Sequence, residues 1–520
     1  GRPAGTGKTQ TLIQKYGEVS VSGTHMRDTT SDETGRPAET GIEPIDSGVP
    51  ELDRLLNGGY VRGRIYLVQG VSGTGKSLLG QQFLEAGLAA DETVVYIHGE
   101  ESRADILLNA AQFGIDLAEA EFLDIGPGTD FFAEDIAYEL VETTEVESER
   151  FTKDIKEVIE ETDPDRLLID PITQLQYVER DEYQYRKRLQ SLIRFLRDRR
   201  VTTVVTRTVG DGPTDGDFQS LSDGIVDLSL EAGERRISIP KHRGLGQRDG
   251  SHGLEIRDEG IEIYPQVIPE HGERSFDPAL LSTGHTALDD LLGGGIERGS
   301  VSFLSGPTGI GKSTAGAQLL AGITDGGTAL GYLFEETIEQ FAYRCENLGI
   351  PIGDRQESGR LRLTEFEPLV RSAEEFGQHV LEDVEKHDPD AVLIDGLSGY
   401  KLSMQGDDER LVRRLHGLTR VLKNRDIAVV ITDEADRLTG LPRATSTDTS
   451  YIADNIVCLT YVEVDGRLER AIGVLKKRLG DFDSRFHRVT IETGRGLTIG
   501  GPFEGVDGII RGSPTDRRDE

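Results

Sequence analysis

A long internal repeat constrains the fold of this chain more than any other feature of its sequence. The segment GVPELDRLLNGGYVRGRIYLVQGVSGTGKS, which starts at Gly48, matches GHTALDDLLGGGIERGSVSFLSGPTGIGKS, which starts at Gly284. The match continues at later pairs, with separations of 236, 235, 225 and 235 residues: Lys76 and Lys312, Glu100 and Glu335, Asp170 and Asp395, Lys241 and Lys476. We interpret this spacing as a tandem duplication, so one fold must be built twice.

Each repeat alternates short β-rich runs with longer helical stretches. The expected strands are RIYLVQG, TVVYIHG, RLLID and TTVVTRT in the first repeat, and SVSFLSG, ALGYLFE, AVLID and IAVVITD in the second. This alternation predicts an α/β fold with two tandem domains, each a mostly parallel twisted sheet flanked by helices. We place the domains at residues 41–263 and 279–507, with a linker at 264–278, a disordered segment at 1–40 and a short tail at 508–520.

The charge balance excludes broad classes of partner. The 93 acidic and 58 basic residues give a net charge of −35, whereas nucleic acids and anionic membranes bind positive surfaces. Only 13 of the basic residues are lysine, a bias that resembles proteins of salt-saturated cytoplasm and suggests a halophilic source. An ordinary acidic protein is the alternative.

The cysteines and the hydropathy pattern bear on location. Cys345 and Cys458 lie 113 residues apart in apolar surroundings, which favours reduced thiols inside a cell over a disulfide framework. We find no signal peptide and no apolar run near 18 residues, so we expect a cytoplasmic protein.

Two phrases carry the signature of a phosphate-binding P-loop. In both, a β-rich run is followed by Gly-x4-Gly-Lys-Ser and an apolar helix, so backbone amides, a lysine and a helix N-terminus converge on a nucleotide phosphate. The residues expected to bind the nucleotide are Gly70, Ser72, Gly73, Thr74, Gly75, Lys76, Ser77 and Leu78, and Gly306, Thr308, Gly309, Ile310, Gly311, Lys312, Ser313 and Thr314. The opening phrase GRPAGTGKT has Arg2 at the first glycine position and no preceding strand. We therefore predict two nucleotide sites, not three.

Carboxylates in both repeats suit phosphoryl chemistry. Asp170 and Asp395 each end an apolar run, and we expect them to hold Mg²⁺ opposite the hydroxyls of Ser77 and Ser313. An acidic pair lies about 24 residues past each P-loop lysine: Glu100 with Glu101, and Glu335 with Glu336. Because successive strand residues face opposite sides, we expect one member of each pair to act as the general base and the other to pair locally.

This set of motifs resembles the RecA superfamily and, within it, the KaiC family of double-domain ATPases. The similarity covers roughly residues 41–515 and includes the phrases EESRADILLNAAQFGID, YVEVDGRLERAIGVLKKR and GIIRGSPT. The resemblance implies a homohexameric double ring with ATP and Mg²⁺ between subunits, and regulatory protein partners whose identity the sequence does not give. It also implies that a Lys-x-Arg motif reaches the neighbour's nucleotide, here Lys241 with Arg243 and Lys476 with Arg478.

The resemblance further suggests Ser/Thr autokinase activity in the second domain. The acceptor pair of the family aligns with Ser450 and Tyr451, so the serine is kept while the threonine is replaced. Nearby hydroxyls offer other acceptors: Thr445, Ser446, Thr447 and Thr449. An ordinary polar loop is the alternative interpretation.

Two other functions compete with a regulatory ATPase. A DNA-dependent ATPase of the RecA type would use basic segments such as YRKRLQSLIRFLRDRR and RLVRRLHGLTRVLKNR, but their helical periodicity favours amphipathic crossover helices packed on the sheet. A scaffold that senses ATP without hydrolysing it is the third possibility.

Overall fold

Two nine-stranded sheets with the same strand order form the framework of the molecule. The computed structural model describes residues 42–126, 143–173, 182–209, 215–231, 233–269, 279–404, 407–435, 445, 449–464, 466–504, 506–507, 509 and 515–516. The chain divides into the units Gly1–Glu43 and Pro44–Glu520. The elements below all belong to the second unit. The expected disordered segment 1–40 and the opening GRPAGTGKT phrase lie outside the described residues.

The first half contains eleven described strands and six described helices. The strands are β1 (Pro44–Ile45), β2 (Tyr60–Val61), β3 (Ile65–Gly70), β4 (Val94–His98), β5 (Glu121–Asp124), β6 (Arg166–Asp170), β7 (Thr202–Thr208), β8 (Gly224–Glu231), β9 (Glu234–His242), β10 (His252–Arg257) and β11 (Gly260–Tyr264). The helices are α1 (Pro50–Leu55), α2 (Lys76–Ala89), α3 (Arg103–Ala111), α4 (Thr143–Thr162), α5 (Glu182–Asp198) and α6 (Asp215–Leu221).

The second half repeats the order of the sheet strands, with additional described helices and one additional strand pair. Its described strands are β12 (Leu280–Leu281), β13 (Ile296–Glu297), β14 (Val301–Gly306), β15 (Ala329–Leu333), β16 (Leu361–Glu365), β17 (Ala391–Asp395), β18 (Ala428–Glu434), β19 (Asn455–Val464), β20 (Arg467–Lys477), β21 (His487–Glu492), β22 (Gly496–Pro502), β23 (Val506–Asp507) and β24 (Thr515–Asp516). Its described helices are α7 (Thr286–Leu291), α8 (Lys312–Ile323), α9 (Ile338–Asn347), α10 (Ile352–Glu357), α11 (Ala373–His387), α12 (Leu397–Leu402) and α13 (Asp408–Asn424).

The sheet topology places the strand ends that form each site. The first sheet has the order β11-β10-β9-β8-β3-β7-β6-β4-β5, and the second has the matching order β22-β21-β20-β19-β14-β18-β17-β15-β16. In each sheet six strands run parallel and the last three add on antiparallel. The predicted fold class, two tandem RecA-like domains with mostly parallel sheets, is confirmed.

Apolar layers cover both faces of each sheet. All six residues of β3 and of β14 are buried, as expected for central parallel strands covered on both faces. The helices α5 and α13 turn apolar sides inward, where Leu189, Ile193, Leu411 and Leu415 are buried. The interpretation of these two basic segments as amphipathic crossover helices is confirmed, because their apolar side chains form part of the sheet cores.

A buried ion-pair cluster joins the two halves. Arg236 of β9 donates from Nη1 to Glu374 Oε1 of α11 at 2.6 Å, and Arg414 of α13 pairs with the same carboxylate. The Glu374 side chain is only 1% exposed. An unpaired charge at this depth would be costly, so both guanidiniums are needed to hold the carboxylate.

The structure bears on the expected reduced thiols and on the expected lack of a membrane-spanning segment. Cys345 and Cys458 are both free and buried. Within the part of the chain that the structure describes, none of the helices combines the length and apolarity that a bilayer crossing requires. The domain limits drawn from the sequence stay a prediction.

Candidate nucleotide sites

Both P-loops end in a left-handed glycine that starts a helix. Gly75 has φ +98° and precedes α2, whereas Gly311 has φ +113° and precedes α8. A side chain is strained in this backbone region, which explains the glycine at each position. Each helix therefore begins at the P-loop lysine, with its first amides directed towards the loop.

The first glycine of each motif packs tightly against the neighbouring strand. A Cβ atom on Gly70 would lie 2.2 Å from the carbonyl oxygen of Leu228, and one on Gly306 would lie 2.4 Å from that of Leu459. No side chain fits there without displacing β8 or β19. These glycines are required by close backbone approach, independently of any ligand.

Each P-loop lysine turns its ammonium group back over the loop. Lys76 Nζ donates to the carbonyl oxygen of Val71 at 2.9 Å, and Lys312 Nζ donates to that of Pro307 at 3.0 Å. The other residues predicted to bind nucleotide occupy the loops and the first helical turns: Ser72, Gly73, Thr74, Ser77 and Leu78 in the first half, and Thr308, Gly309, Ile310, Ser313 and Thr314 in the second.

A side chain from a neighbouring strand hydrogen-bonds to each P-loop, and this side chain differs between the two halves. In the first half, Arg235 Nε donates to the carbonyl oxygen of Gly73 at 3.1 Å. In the second half, the Tyr461 hydroxyl donates to the carbonyl oxygen of Gly309 at 3.3 Å. Both donors come from the antiparallel hairpin next to the P-loop strand, so the same support is built from unlike residues.

The strand-end aspartates lie at the same sheet edge as the P-loops, as parallel topology requires. Asp170 accepts hydrogen bonds from the hydroxyls of Tyr96, at 2.9 Å, and Thr206. Asp395 accepts a hydrogen bond from the Thr432 hydroxyl at 2.7 Å.

Ser313 also hydrogen-bonds to Asp395. Burial raises the pKa of Asp395, and the hydrogen bonds from Thr432 and Ser313 oppose that rise. A hydroxyl and a carboxylate in contact provide the hard oxygen donors that suit Mg²⁺. Among the described residues, no cluster of three or more His, Cys, Asp or Glu is arranged to hold a metal.

The acidic pairs lie beyond the ends of the strands. The expectation that they are strand residues, whose side chains alternate between the two faces, was therefore wrong. β4 ends at His98 and β15 ends at Leu333, and the pairs follow in a bend. The second glutamate of each pair is tied to the next helix at a corresponding position. Asn109 Nδ2 donates to Glu101 Oε2 at 3.0 Å, and the guanidinium of Arg344 pairs with Glu336.

Glu335, the first glutamate of the second pair, lies among the charged side chains beside the second P-loop. Partial enclosure raises the pKa of Glu335, and the neighbouring carboxylates of Asp395 and Glu434 raise it further. Burial lowers the pKa of Lys312, while Glu434, Glu335 and Asp395 oppose that shift. Asp433 opposes the shift as well, so four carboxylates act on this one ammonium group. In the first half, Glu100 lies at the matching position, and the side chains of Glu100 and Glu335 are both exposed.

A cavity of about 290 Å³ opens beside the second P-loop. Its walls combine the P-loop, the acidic pair and the ends of β17 and β18; they are Thr308, Gly309, Gly311, Lys312, Ser313, Thr314, Glu335, Glu336, Arg344, Gly396, Leu397, Ser398, Thr432, Glu434 and Ile491. The sequence reasoning missed Arg344, Thr432 and Glu434. The acidic end of the IAVVITDE run, which places Glu434 at a strand terminus, was the available signal for the last.

The Lys-x-Arg motifs lie at the opposite end of each sheet. Lys241 is at the end of β9, and its Nζ donates to the carbonyl oxygen of Gln219 at 2.8 Å; Arg243 pairs with Asp223 at 3.5 Å. The Asp223 carboxylate in turn accepts from the backbone amide of Ile65, at the start of the P-loop strand. Since β3 spans six residues, the motif lies roughly 15–20 Å from its own P-loop.

The second motif has the same arrangement. Lys476 Nζ donates to the carbonyl oxygens of Ser450 at 2.8 Å and Ala453 at 2.7 Å. Arg478 Nη1 pairs with Asp454 at 3.3 Å, and Nη2 donates to the carbonyl oxygen of Tyr451 at 2.9 Å. Neither motif is placed to contact the nucleotide site of its own domain.

The candidate acceptor segment lies next to this second motif. Ser450 is exposed, whereas Thr445 and Thr449 are buried. The Tyr451 ring stacks on His416 with centroids 5.8 Å apart. The other two hydroxyl residues of the segment, Ser446 and Thr447, lie outside the described residues.

Comparison with known proteins accounts for the duplicated architecture. A family model for KaiC ATPases matches residues 45–268 and again 281–503. The circadian clock oscillator protein KaiC of Parathermosynechococcus lividus is 30% identical over 492 residues, covering 91% of this chain and 88% of that protein. The proteins of the same name from Picosynechococcus sp. and Acaryochloris marina are each 30% identical, covering 94% and 91% of this chain and 95% and 92% of theirs. The chain belongs to the KaiC family of double-domain ATPases.

Proposed function

We propose that this protein hydrolyses ATP with Mg²⁺ at two sites per subunit and acts in regulation or signalling. The grouping of Glu335 with Lys312 and Asp395 at the mouth of a P-loop carries the proposal. These groups would supply a proton acceptor, a phosphate-binding cation and a metal-binding carboxylate at one strand edge. The first half offers the corresponding Glu100, Lys76 and Asp170.

The chemistry assigned to these groups is an in-line displacement. Glu335 accepts a proton from a water molecule as the water oxygen attacks the γ-phosphorus of ATP, and ADP leaves with the electrons of the broken bond. Lys312 and the loop amides stabilise the charge on the phosphate oxygens. Mg²⁺, held by Ser313 and Asp395, would neutralise charge on the β- and γ-phosphates. Glu336 is tied to Arg344, which leaves the base role to Glu335.

Phosphate release tests this assignment. Glu335→Gln and Glu100→Gln should each remove the activity of one site, by roughly 100-fold or more, because a general base typically contributes that much. The exposed Glu339 of α9 provides the matched control as Glu339→Gln. If wild type and the double variant released phosphate at equal, near-zero rates, the protein would be an ATP-sensing scaffold instead.

We also propose a homohexameric ring in which each Lys-x-Arg serves the neighbouring subunit. The support is the location of Arg243 and Arg478, a full strand length from their own P-loops. A guanidinium next to the γ-phosphate would stabilise the transition state. Mixing provides the test, in chains that all carry Glu100→Gln. Subunits with Lys312→Ala and subunits with Arg478→Ala should be inactive alone and regain hydrolysis when mixed. No recovery would contradict service in trans.

Autokinase activity in the second domain is the finer part of the proposal. Ser450 is exposed beside Lys476, at the sheet end assigned to the neighbour's nucleotide. Incubation with radiolabelled ATP, followed by mass spectrometry of residues 443–451, would detect phosphate there. Label in wild type that disappears in Ser450→Ala would support it, and no label with ongoing hydrolysis would contradict it.

A further inference from the structure

One helix position differs between the two sites in a way that the duplication does not explain. Asn109 of α3 and Arg344 of α9 both lie eight residues past the second glutamate of the acidic pair, and both contact that glutamate. The amide of Asn109 is neutral, whereas Arg344 adds a permanent positive charge. The sequences of the two helices therefore diverge at a position that contacts the acidic pair.

The guanidinium of Arg344 reaches the phosphate-binding turn itself. Its Nη1 donates to the Thr314 hydroxyl at 3.1 Å, and Thr314 is two residues past the P-loop lysine. Arg344 lines the same cavity as Lys312 and Ser313, and its side chain is 30% exposed. At the Thr314 position the first half has Leu78, which offers no hydroxyl.

Arg344 also donates from Nη2 and Nε to the Glu336 carboxylate, and its guanidinium lies over the Phe341 ring, 5.1 Å from the centroid. A guanidinium has five N–H donors in a planar fork and can bind a carboxylate and a phosphate oxygen at the same time. Burial by itself lowers the pKa of Arg344, but the Glu336 carboxylate more than offsets this effect and the pKa is raised, so the group stays charged. Its location at the first turn of α8 coincides with the helix terminus where anions bind.

We propose that Arg344 is a phosphate-binding residue of the second nucleotide site, one that the first site lacks. The inference rests on the proposed binding of ATP at this P-loop. Arg344 adds a cation from the same subunit next to Thr314, on the opposite side of the domain from Arg478. The second site thus holds the triphosphate by two of its own cations, Lys312 and Arg344.

Calorimetric titration with ATP tests the proposal in full-length chains that carry Lys76→Ala, so that binding reports the second site. Arg344→Asn, which installs the residue of the first half, should weaken ATP binding roughly 10-fold, the usual effect of losing a charged hydrogen bond to phosphate. Adenosine, which has no phosphate, should bind equally to both chains. Arg344→Lys keeps the charge without the fork, and we expect an intermediate loss.

A double-mutant cycle separates phosphate binding from mere support of Glu336. If Arg344 binds phosphate, Glu336→Gln should leave ATP affinity within about 2-fold, and Arg344→Asn should cost the same with or without it. If Arg344 only positions Glu336, both single variants and the double variant should lose affinity equally, which would overturn the proposal. Unchanged ATP binding in Arg344→Asn would overturn it as well.

Failure of the underlying function is distinguishable from failure of this inference. If the Lys76→Ala chain bound no ATP at all, the second P-loop would not be a nucleotide site. If that chain bound ATP and Arg344→Asn bound it equally well, the nucleotide site would stand and the role of Arg344 would be wrong. Far-ultraviolet circular dichroism of each variant checks that the fold is intact.

Discussion

The two nucleotide sites share a backbone and differ in charge. Strands β7 and β18 occupy corresponding positions beside the P-loop strands β3 and β14. By register, β7 ends with Arg207 and Thr208, whereas β18 ends with Asp433 and Glu434. With the acidic pairs, the strand-end aspartates, the P-loop lysines and Arg344 included, the second site carries two more negative charges than the first. The duplication preserved phosphate-binding geometry and allowed the electrostatics to diverge.

The three antiparallel strands that extend each sheet, β9–β11 in the first half and β20–β22 in the second, also differ in charged residues. Arg236 of β9 corresponds by register to Ala471 of β20, and His252 of β10 corresponds to His487 of β21. The first extension packs its charged side chains against α11 and α13 of the second half. One copy of the strand set thus contributes to the contact between the halves, together with the segment that follows β11. The two copies are not interchangeable, although their topology is the same.

The largest expected effect concerns this contact. Glu374→Ala should lower the free energy of unfolding by about 3–5 kcal/mol, because Arg236 and Arg414 would be left buried without their carboxylate. Glu385→Ala on the same helix is the matched control, since the Glu385 side chain is exposed and pairs with a partly exposed Arg425, so the change should cost below about 1 kcal/mol. Denaturant unfolding measures the free energy of unfolding of both variants. Equal losses would show that the buried ion-pair cluster stabilises the fold no more than the control pair does.

Acid sensitivity should also distinguish the two extensions. Burial lowers the pKa of His252 to about 4, and the Gln266 amide donates to its Nδ1 at 3.0 Å. Between about pH 6.5 and 4 the unfolded chain binds a proton that the folded chain does not. The free energy of unfolding should therefore decrease as the pH is lowered from about 6.5 to 4, and this residue should account for about 3 kcal/mol of the decrease.

Unfolding free energies of wild type and His252→Asn from pH 7 to 4 measure this effect. The variant should lose less stability on acidification than wild type. His487→Asn, at the corresponding position of β21, is the control; His487 lies between Asp483 and the Gly500 carbonyl. A His252→Asn chain with the same pH slope as wild type would contradict the prediction.

The P-loop lysines test whether both sites bind. Lys76→Ala and Lys312→Ala should each weaken ATP at one site by roughly 10- to 100-fold, the usual cost of a lost charged hydrogen bond. Calorimetry should then report two ATP per wild-type chain and one per single variant. If one variant kept two ATP molecules, the comparison of two functional sites would fail.

The smallest effect concerns magnesium. Because the second site carries more negative charge, removing Mg²⁺ with a chelator should weaken ATP more there than at the first site. Glu434→Thr, which installs the residue found at Thr208, should reduce that difference by a few-fold. Titrations in Lys76→Ala and Lys312→Ala backgrounds separate the sites. Equal magnesium dependence in both would show that the extra carboxylates do not face the nucleotide.

Much of the fold could be predicted because its signals are local. Gly70-x4-Gly75-Lys76-Ser77 determines a turn and a helix start through backbone sterics, and apolar runs such as RLLID determine buried parallel strands. The location of Asp170 and Asp395 beside the P-loops followed from parallel topology. The bend that contains the acidic pairs was missed, since strand ends depend on pairing with a neighbouring strand.

The sequence by itself determined that one α/β domain is built twice, with a lysine, a serine and an aspartate at each phosphate-binding edge. Only the tertiary structure decided which glutamate is tied to a helix, that Arg344 reaches Thr314, and that Arg243 and Arg478 lie far from their own P-loops. The reason is physical: a backbone turn depends on adjacent residues, whereas a charge acts on whatever the fold brings within a few ångströms, at any separation in the chain.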